Sequence, residues 1–233
     1  MGPIDQSLKP DEMRAALQHR LGLPLAESDE QCSLCLNHPL DLHGHHHITC
    51  SKGGLVTLRH NRLRDCLNAL CRFAGMSPKI EQGASFGDLS RPADLLVPNF
   101  SLGKAAAFDF VVASPLVQQN LLEAGAIDVV DVAAVTKHTN NDAKCELLGW
   151  KCVPLAVDTY GRWGSEAHAS FSSIASHLST TTKTSLAAAT NSIYSSLGIA
   201  LARHNARAIL AHRFRFDFGA REVRNSVLSP NQQ

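Results

Sequence analysis

Two aspartates stand where the chain otherwise favours burial, and their positions suggest a metal-binding site. Asp94 opens an apolar run in RPADLLVP, and Asp109 lies inside the apolar segment AAAFDFVVAS. An isolated carboxylate is costly to bury, so two of them on neighbouring strand-like segments need a common partner. Together with Glu81 on the preceding segment, they offer oxygen ligands suited to a hard divalent cation. The sequence therefore predicts a Mg²⁺ site formed by Asp94, Asp109 and Glu81.

Two lysines in the next helix-like segment suggest what such a metal site would do. Lys137 and Lys144 are seven residues apart, which places both on one face of a helix. An amine beside a metal ion and a phosphate stabilises the negative charge that develops during phosphodiester hydrolysis. The alternative is structural: Asp94 lies at an exposed strand end, and both lysines lie on the solvent side of their helix.

A second motif combines three cysteines with a group of histidines. In CSLCLNHPLDLHGHHHITC, Cys32 and Cys35 are separated by two residues, and Cys50 follows the histidines. Thiolates at this spacing bind one tetrahedral Zn²⁺ from a tight turn, and a later His and Cys complete the site. We therefore expect a zinc knuckle rather than a His-rich loop with incidental cysteines. Spacing alone does not choose the fourth ligand among His43, His45, His46 and His47.

Composition sets the class of protein. The 233 residues are 44% hydrophobic and 18% charged, which is typical of a globular chain with one main core. Seven cysteines, an odd number, argue against a disulfide framework, and those outside the knuckle motif are predicted to be buried.

No run approaches the roughly 18 apolar residues of a membrane span, and no secretory signal is apparent. We expect an intracellular protein with no membrane partner and no small-molecule substrate.

Basic residues concentrate in two segments of a chain whose net charge is only +1. Residues 52–72 contain five basic residues and one acidic residue, and residues 203–224 contain six basic and two acidic residues. Two such segments can form a basic face for a nucleic acid on a nearly neutral protein. Solvated helix faces explain each segment equally well when it is considered alone.

The elements that would position these residues follow from hydrophobic periodicity. Helices are predicted over residues 11–21, 63–74 and 129–148, and again from 165 to about 213 with a Ser/Thr-rich link near 179–185. Four strands are predicted at KIEQG, DLLVP, AAAFDFVVAS and CVPLAVDT. The third strand, the long helix after it and the fourth strand form a crossover unit. We therefore expect an α/β (α+β) fold with a mixed sheet flanked by helices.

The order of these motifs resembles one protein family. The segments LDLHGHHHITCSKGGLVTLRHNRLRD, RPAD, AFDFVVASPL and NDAKCELLGWKCVPLAVDTYG are similar to the C-terminal region of non-LTR retrotransposon proteins. That region carries a zinc knuckle and a restriction-like endonuclease of the PD-(D/E)xK type. The similarity extends from about Leu8 to Arg213. It implies a helical lead-in (1–31), a CCHC knuckle (32–51), a restriction-endonuclease-like domain (52–180) and a C-terminal helix with a frayed tail (181–233).

The resemblance also assigns roles to single residues. It implies zinc ligands at Cys32, Cys35, His46 and Cys50, where the small residue Gly44 favours His46 over His45. The family's Arg-His-Asn signature falls on Arg59, His60 and Asn61, and Arg62 and Arg91 are further candidates for contact with nucleic acid. The two metal-binding acids fall on Asp94 and Asp109. The usual lysine two residues after the second acid is replaced by Val111, and Lys144 on the next helix fits that role better than Lys137.

The function implied is Mg²⁺-dependent cleavage of DNA by a nuclear, retrotransposon-derived endonuclease, with RNA as an alternative partner. The polymerase of that family lies upstream of this region, so we expect a truncated element, a domesticated nuclease or a genomic remnant. A non-catalytic nucleic-acid-binding module of the same fold is the competing hypothesis. A structural zinc protein with a protein partner is a third hypothesis, which leaves the paired aspartates unexplained.

Overall fold

The computed structural model describes residues 7–26, 30–80, 92–101, 103–116 and 128–213. These residues form two units. Within the described residues, the sheet unit is Arg62–Ala200, and the knuckle unit combines Ser7–Asn61 with residues 201–213. This grouping differs from the predicted linear boundaries at 31, 51 and 180, because segments distant in sequence share the core of the knuckle unit.

The sheet unit contains a four-stranded mixed sheet. Its strands are β1 (Lys79–Ile80), β2 (Leu95–Ser101), β3 (Lys104–Ala113) and β4 (Trp150–Asp158), in the order β1-β2-β3-β4. The pairs β1–β2 and β2–β3 are antiparallel, and β3–β4 is parallel. The prediction of a mixed α/β fold with flanking helices is therefore confirmed. The end of the first predicted strand, 81–83, lies outside the described residues.

Six α-helices occur within the described residues: α1 (Pro10–Arg20), α2 (His45–Thr49), α3 (Leu55–Phe73), α4 (Val129–Leu147), α5 (Ser165–Thr182) and α6 (Leu186–Arg213). The predicted helices over 11–21 and 129–148 match α1 and α4 within one residue. Helix α3 begins eight residues before the predicted start at Leu63. A buried arginine, Arg59, occupies a core-facing position there and interrupts the apolar period on which the prediction depended. None of the helices in the described part of the chain is long and apolar enough to cross a membrane.

Helices α4 and α5 cover opposite faces of the sheet. Ala107 of β3 packs with Cys145 of α4, whereas the preceding residue, Ala106, lines a shallow pocket with Ser170 of α5. Consecutive strand residues point to opposite faces, so each helix covers one face. Helix α4 also joins β3 to β4, and such a crossover is what allows these two strands to be parallel. Strand β3 is consequently buried on both faces at its centre.

The knuckle unit has a small apolar core of its own. Ala15 of α1 and Ile48 of α2 pack with Ile209 near the end of α6. At the edge of this core, Arg207 Nε donates to Glu12 Oε1 at 2.8 Å. Burial acts to raise the pKa of Glu12, but the hydrogen bonds from Arg207 and the Lys9 amide, together with the charges of Arg207 and Arg203, outweigh it and the pKa is lowered. The core and this ion pair together hold α1 against the end of α6.

Candidate functional site

The strand register brings the two predicted metal-binding aspartates together. Leu95 pairs with Phe108, Asp94 directly precedes Leu95, and Asp109 directly follows Phe108. The two carboxyl groups lie close enough that Asp94 raises the pKa of Asp109 through its charge and a side-chain hydrogen bond. Asp94 is held there because its backbone N–H donates to the Phe108 carbonyl at 3.0 Å and its Oδ2 accepts from the Phe110 N–H at 2.7 Å. The third predicted acid, Glu81, lies outside the described residues.

Two residues of α4 contact the carboxylate of Asp109. Lys137 Nζ lies 2.7 Å from Oδ1, and Asn141 Nδ2 donates to Oδ2 at 2.6 Å. Residues four apart on a helix lie on adjacent turns of one face, so both reach the same acid. Asn141 was not predicted as a site residue. Its position four residues after Lys137, on the same helix face, was the signal in the sequence that could have identified it. Asp109 is therefore held in a fixed orientation from the helix side.

Burial governs the electrostatics of Asp109. It raises the pKa of this carboxyl group from 3.8 to about 6. The hydrogen bond from Lys137 acts in the opposite direction, and the neighbouring Asp94 raises the pKa further. Two carboxylates facing one another on a buried strand pair repel, and a bound cation would relieve that repulsion. The arrangement thus favours positive charge between Asp94 and Asp109.

The structure also separates the two candidate lysines. The amine of Lys137 contacts Asp109, whereas the side chain of Lys144 is exposed. Seven residues correspond to about 10 Å along a helix axis, so a second lysine on the same face lies two turns away. The preference for Lys144 drawn from the resemblance is therefore not supported by this geometry. Lys137 is the better candidate for the catalytic amine.

The start of α4 is tied to the end of β4, which sets where Lys137 lies. Asp128 caps the helix, with Oδ1 accepting from the Val130 N–H at 2.8 Å. The guanidinium of Arg162 binds the Asp128 carboxylate, and that hydrogen bond is the main reason that the pKa of Asp128 falls to about 2. The backbone N–H of Arg162 in turn donates to Oδ1 of Asp158, the last residue of β4, at 2.9 Å. These contacts anchor the helix that carries Lys137 and Asn141.

The four predicted knuckle ligands converge in the knuckle unit. Cys32 Sγ lies 3.9 Å from Cys50 Sγ, and Cys35 Sγ lies 3.4 Å from His46 Nε2. All four ligand atoms lie within 4.8 Å of one another. A tetrahedral zinc site with ordinary bond lengths requires separations of about 3.8 Å between sulfurs and about 3.5 Å between sulfur and nitrogen. This cluster could therefore hold a metal such as zinc.

A turn around Asp41 places His46, rather than His45, in the cluster. The Asp41 carboxylate accepts from the backbone N–H groups of His43 at 3.1 Å, His45 at 2.9 Å and His46 at 2.6 Å. Burial acts to raise the pKa of Asp41, but the amide donors of His46 and His45, together with the charges of His47 and His45, outweigh it and the pKa is lowered. Gly44 has a φ of +80°, and a Cβ atom there would lie 2.4 Å from a side-chain carbon of Leu25. Asp41 was not predicted, and its capping role depends on this turn.

The thiols of the cluster differ in their environments. Burial raises the pKa of Cys50 to about 11, whereas the backbone amide of Asn37 is the main group that lowers the pKa of Cys35. Metals bind thiolates rather than thiols, so metal binding here releases protons, and its affinity depends on pH.

The Arg-His-Asn segment does not form an exposed nucleic-acid contact at its arginine. Arg59 is 3% exposed, and its guanidinium donates to the Ile48 carbonyl at 3.0 Å and to Asn205 Oδ1 at 2.8 Å. Burial lowers the pKa of Arg59 to about 10. The predicted phosphate contact by Arg59 is therefore replaced by a structural role, in which it joins α3 to α2 and α6. His60 and Asn61 are half-buried, and Arg62 is exposed.

Arg91, the remaining predicted nucleic-acid contact, lies outside the described residues.

Comparison with known proteins found no match to this chain among protein-family models, curated proteins or solved structures. The resemblance to retrotransposon nucleases therefore stays a prediction.

Proposed function

We propose that this protein is a Mg²⁺-dependent DNA endonuclease with a restriction-endonuclease-like sheet unit and a zinc-binding knuckle unit. The observation that carries this proposal is the set of charges at the β2–β3 pair. Asp94 lies close enough to Asp109 to raise its pKa, and the amine of Lys137 lies 2.7 Å from Asp109 Oδ1. Two acids and one amine on a buried strand pair are the groups that metal-dependent phosphodiester hydrolysis requires.

The donor set fits Mg²⁺. Asp94 and Asp109 would hold the ion, since Mg²⁺ is commonly bound through one or two carboxylates and keeps several waters. The bonds from Lys137 and Asn141 do not exhaust the Asp109 carboxylate, because each of its oxygens has two lone pairs. When bound, the ion would lower the pKa of a water molecule and neutralise charge on the scissile phosphate.

The remaining steps concern the side chains of this chain. The side chain of Lys137 is 26% exposed, so its amine contacts Asp109 while remaining accessible to a phosphate from solvent. From this position it stabilises the negative charge that develops on the phosphate during cleavage. Asn141 keeps the Asp109 carboxylate oriented through its hydrogen bond to Oδ2.

In the knuckle unit, the metal we propose is Zn²⁺, because three thiolates and one imidazole at tetrahedral spacing favour it. A structural zinc ion contributes directly to folding, so it would stabilise the turn around Asp41 and the packing of α2. The exposed Arg62 on α3, which belongs to the sheet unit, supplies a charge for the DNA backbone. Zinc-binding by the knuckle unit and phosphate contact by Arg62 are the proposed contributions to DNA binding, and the Asp94–Asp109 site is the proposed cleavage site.

A non-catalytic nucleic-acid-binding module is the second candidate, and one observation favours it. Both oxygens of Asp109 have a protein partner, since Lys137 binds Oδ1 and Asn141 binds Oδ2. A buried carboxylate satisfied in this way needs no metal ion. The same contacts thus fit an inactive site whose acid has been neutralised by the protein.

Nicking of supercoiled plasmid distinguishes the two candidates. With Mg²⁺ present, we expect wild-type protein to nick DNA and Asp109→Asn to abolish nicking while leaving DNA affinity unchanged. Lys137→Met should lower the rate by about 100-fold or more, because one group that stabilises the transition state is lost. Lys144→Met is the matched control and should retain the wild-type rate. Zinc-loaded, DNA-bound wild-type protein that fails to nick with Mg²⁺ or Mn²⁺ would establish the binding module instead.

A further inference from the structure

A third cluster of ligating side chains lies beside the aspartate pair, on another side of α4. His138 and Asp142 of α4 directly follow Lys137 and Asn141 in the sequence. Together with Cys152 of β4 they bring a nitrogen, an oxygen and a sulfur to one place, all within 4.8 Å of one another. Neither the proposed Mg²⁺ site nor the knuckle uses these three residues.

The imidazole of His138 is held from both sides. Its Nδ1 lies 2.8 Å from Asp142 Oδ1, and its Nε2 lies 2.7 Å from Oε1 of Glu166 on α5. A histidine that binds a metal through one ring nitrogen usually donates its other N–H to a carboxylate, which fixes the ring. Glu166 is placed for that role at Nε2, which leaves Nδ1, on the side of Asp142, as the nitrogen that would bind the metal.

We propose that His138, Asp142 and Cys152 form a second zinc site, with Glu166 orienting the histidine. A mixed set of nitrogen, oxygen and sulfur donors suits Zn²⁺ better than Mg²⁺ or Ca²⁺, which take oxygen ligands. Three protein ligands leave the fourth tetrahedral position for water, as in zinc sites that are open to solvent. The exposed side of Asp142 gives an ion access to Cys152, which is only 5% exposed. The site does not depend on the proposed endonuclease activity.

The rival explanation is an ion-pair network without a metal. Burial acts to lower the pKa of His138, but its hydrogen bonds to Asp142 and Glu166 outweigh this and raise the pKa. A protonated imidazole between two carboxylates would account for both short contacts. It would leave Cys152 only its packing and its thiol contact with Cys145, so loss of zinc on replacing Cys152 distinguishes the two explanations.

Cys145 provides the matched control. It is 1% exposed and packs in the same small core as Cys152, but it is not one of the three converging donors. The two thiols are hydrogen-bonded to each other, so replacing either cysteine by alanine removes that same contact from the same core. Only the replacement of Cys152 removes a ligand from the proposed site.

The test is zinc stoichiometry of the full chain after equilibrium dialysis against micromolar free Zn²⁺. We expect Cys152→Ala to hold one zinc fewer than wild type, and Cys145→Ala to hold as many as wild type. Asp142→Asn changes an exposed side chain and should also lose the second ion while remaining folded. Glu166→Gln should lower the affinity for the second zinc ion about 10- to 100-fold, as measured by competition with a chelator. Each variant is compared with wild type by the number of zinc ions bound. The result therefore does not depend on whether the knuckle binds zinc or on whether the protein nicks DNA.

Two results would overturn the proposal. If wild type, Cys152→Ala and Asp142→Asn hold the same amount of zinc, the cluster is an ion-pair network only. If Cys145→Ala loses as much zinc as Cys152→Ala, the loss reflects damage to their shared core rather than removal of a ligand. Circular dichroism of each variant separates loss of an ion from loss of the fold.

Discussion

Replacing Asp109 by asparagine should change how stability depends on pH. Burial raises the pKa of Asp109 to about 6 in the folded protein, whereas its ordinary value is 3.8. Between these values the folded state binds the proton more strongly than the unfolded state. The contribution of this group to the free energy of unfolding is therefore fully present below 3.8 and is lost as the pH rises through about 6. Asparagine has no such proton, so the variant lacks this dependence.

The size of the effect follows from the two pKa values. Each pKa unit corresponds to about 1.4 kcal/mol, so the difference between 3.8 and about 6 corresponds to about 3 kcal/mol. The side chain of Asp109 is only 8% exposed, so solvent screening reduces this little. We expect the free energy of unfolding of Asp109→Asn, minus that of wild type, to rise by about 2 kcal/mol between about pH 4 and pH 7, since part of the full effect lies below pH 4. Other differences between the side chains shift the whole curve without changing its slope.

Urea denaturation without added divalent cations measures this difference. Both tryptophans, Trp150 and Trp163, lie in the sheet unit, so their fluorescence reports on the fold around Asp109. Lys137→Met should move the titration to higher pH, because the amine of Lys137 lowers the pKa of Asp109. Lys144→Met, the exposed control on the same helix, should leave the curve unchanged.

A stability difference between Asp109→Asn and wild type that stays constant from about pH 4 to pH 8 would refute this reasoning. It would mean that Asp109 is not buried beside Asp94. Added Mg²⁺ provides a second check. It should stabilise wild type above about pH 6, where the carboxylate is ionised, and should stabilise Asp109→Asn much less.

Two further predictions concern the knuckle unit. Arg59→Met should lower the free energy of unfolding by about 2 to 4 kcal/mol, because two buried acceptor oxygens lose their donor. Arg62→Met, an exposed control on α3, should change it little; equal effects in urea denaturation would contradict the structural role of Arg59. Gly44→Ala should destabilise the knuckle and speed zinc loss to a chelator, because its Cβ atom would lie 2.4 Å from a leucine side chain. Gly54→Ala, also at positive φ but with open space around it, should cost only the backbone strain of about 1–2 kcal/mol.

Much of the secondary structure was accessible from the sequence, because it depends on local patterns. The helix predicted over 129–148 is observed at Val129–Leu147, and it ends before Gly149, which has a φ of +68°. The apolar runs around Asp94 and Asp109 predicted two strands. Asp109 lies within β3, and Asp94 directly precedes β2. The spacing of the cysteines likewise predicted the knuckle cluster, since ligands close in sequence need little tertiary information to converge.

Only the tertiary structure decided which lysine meets the acid and which arginine is buried. Lys137 and Lys144 share a helix face, so their spacing does not show which of them contacts Asp109. That depends on how far α4 is displaced along β3 when it packs on the sheet. Arg59 resembles a surface residue in the sequence, and its burial depends on Asn205, 146 positions away. A local pattern carries the period of a helix or strand, but it does not carry the register between distant elements, and that register determines which charges become neighbours.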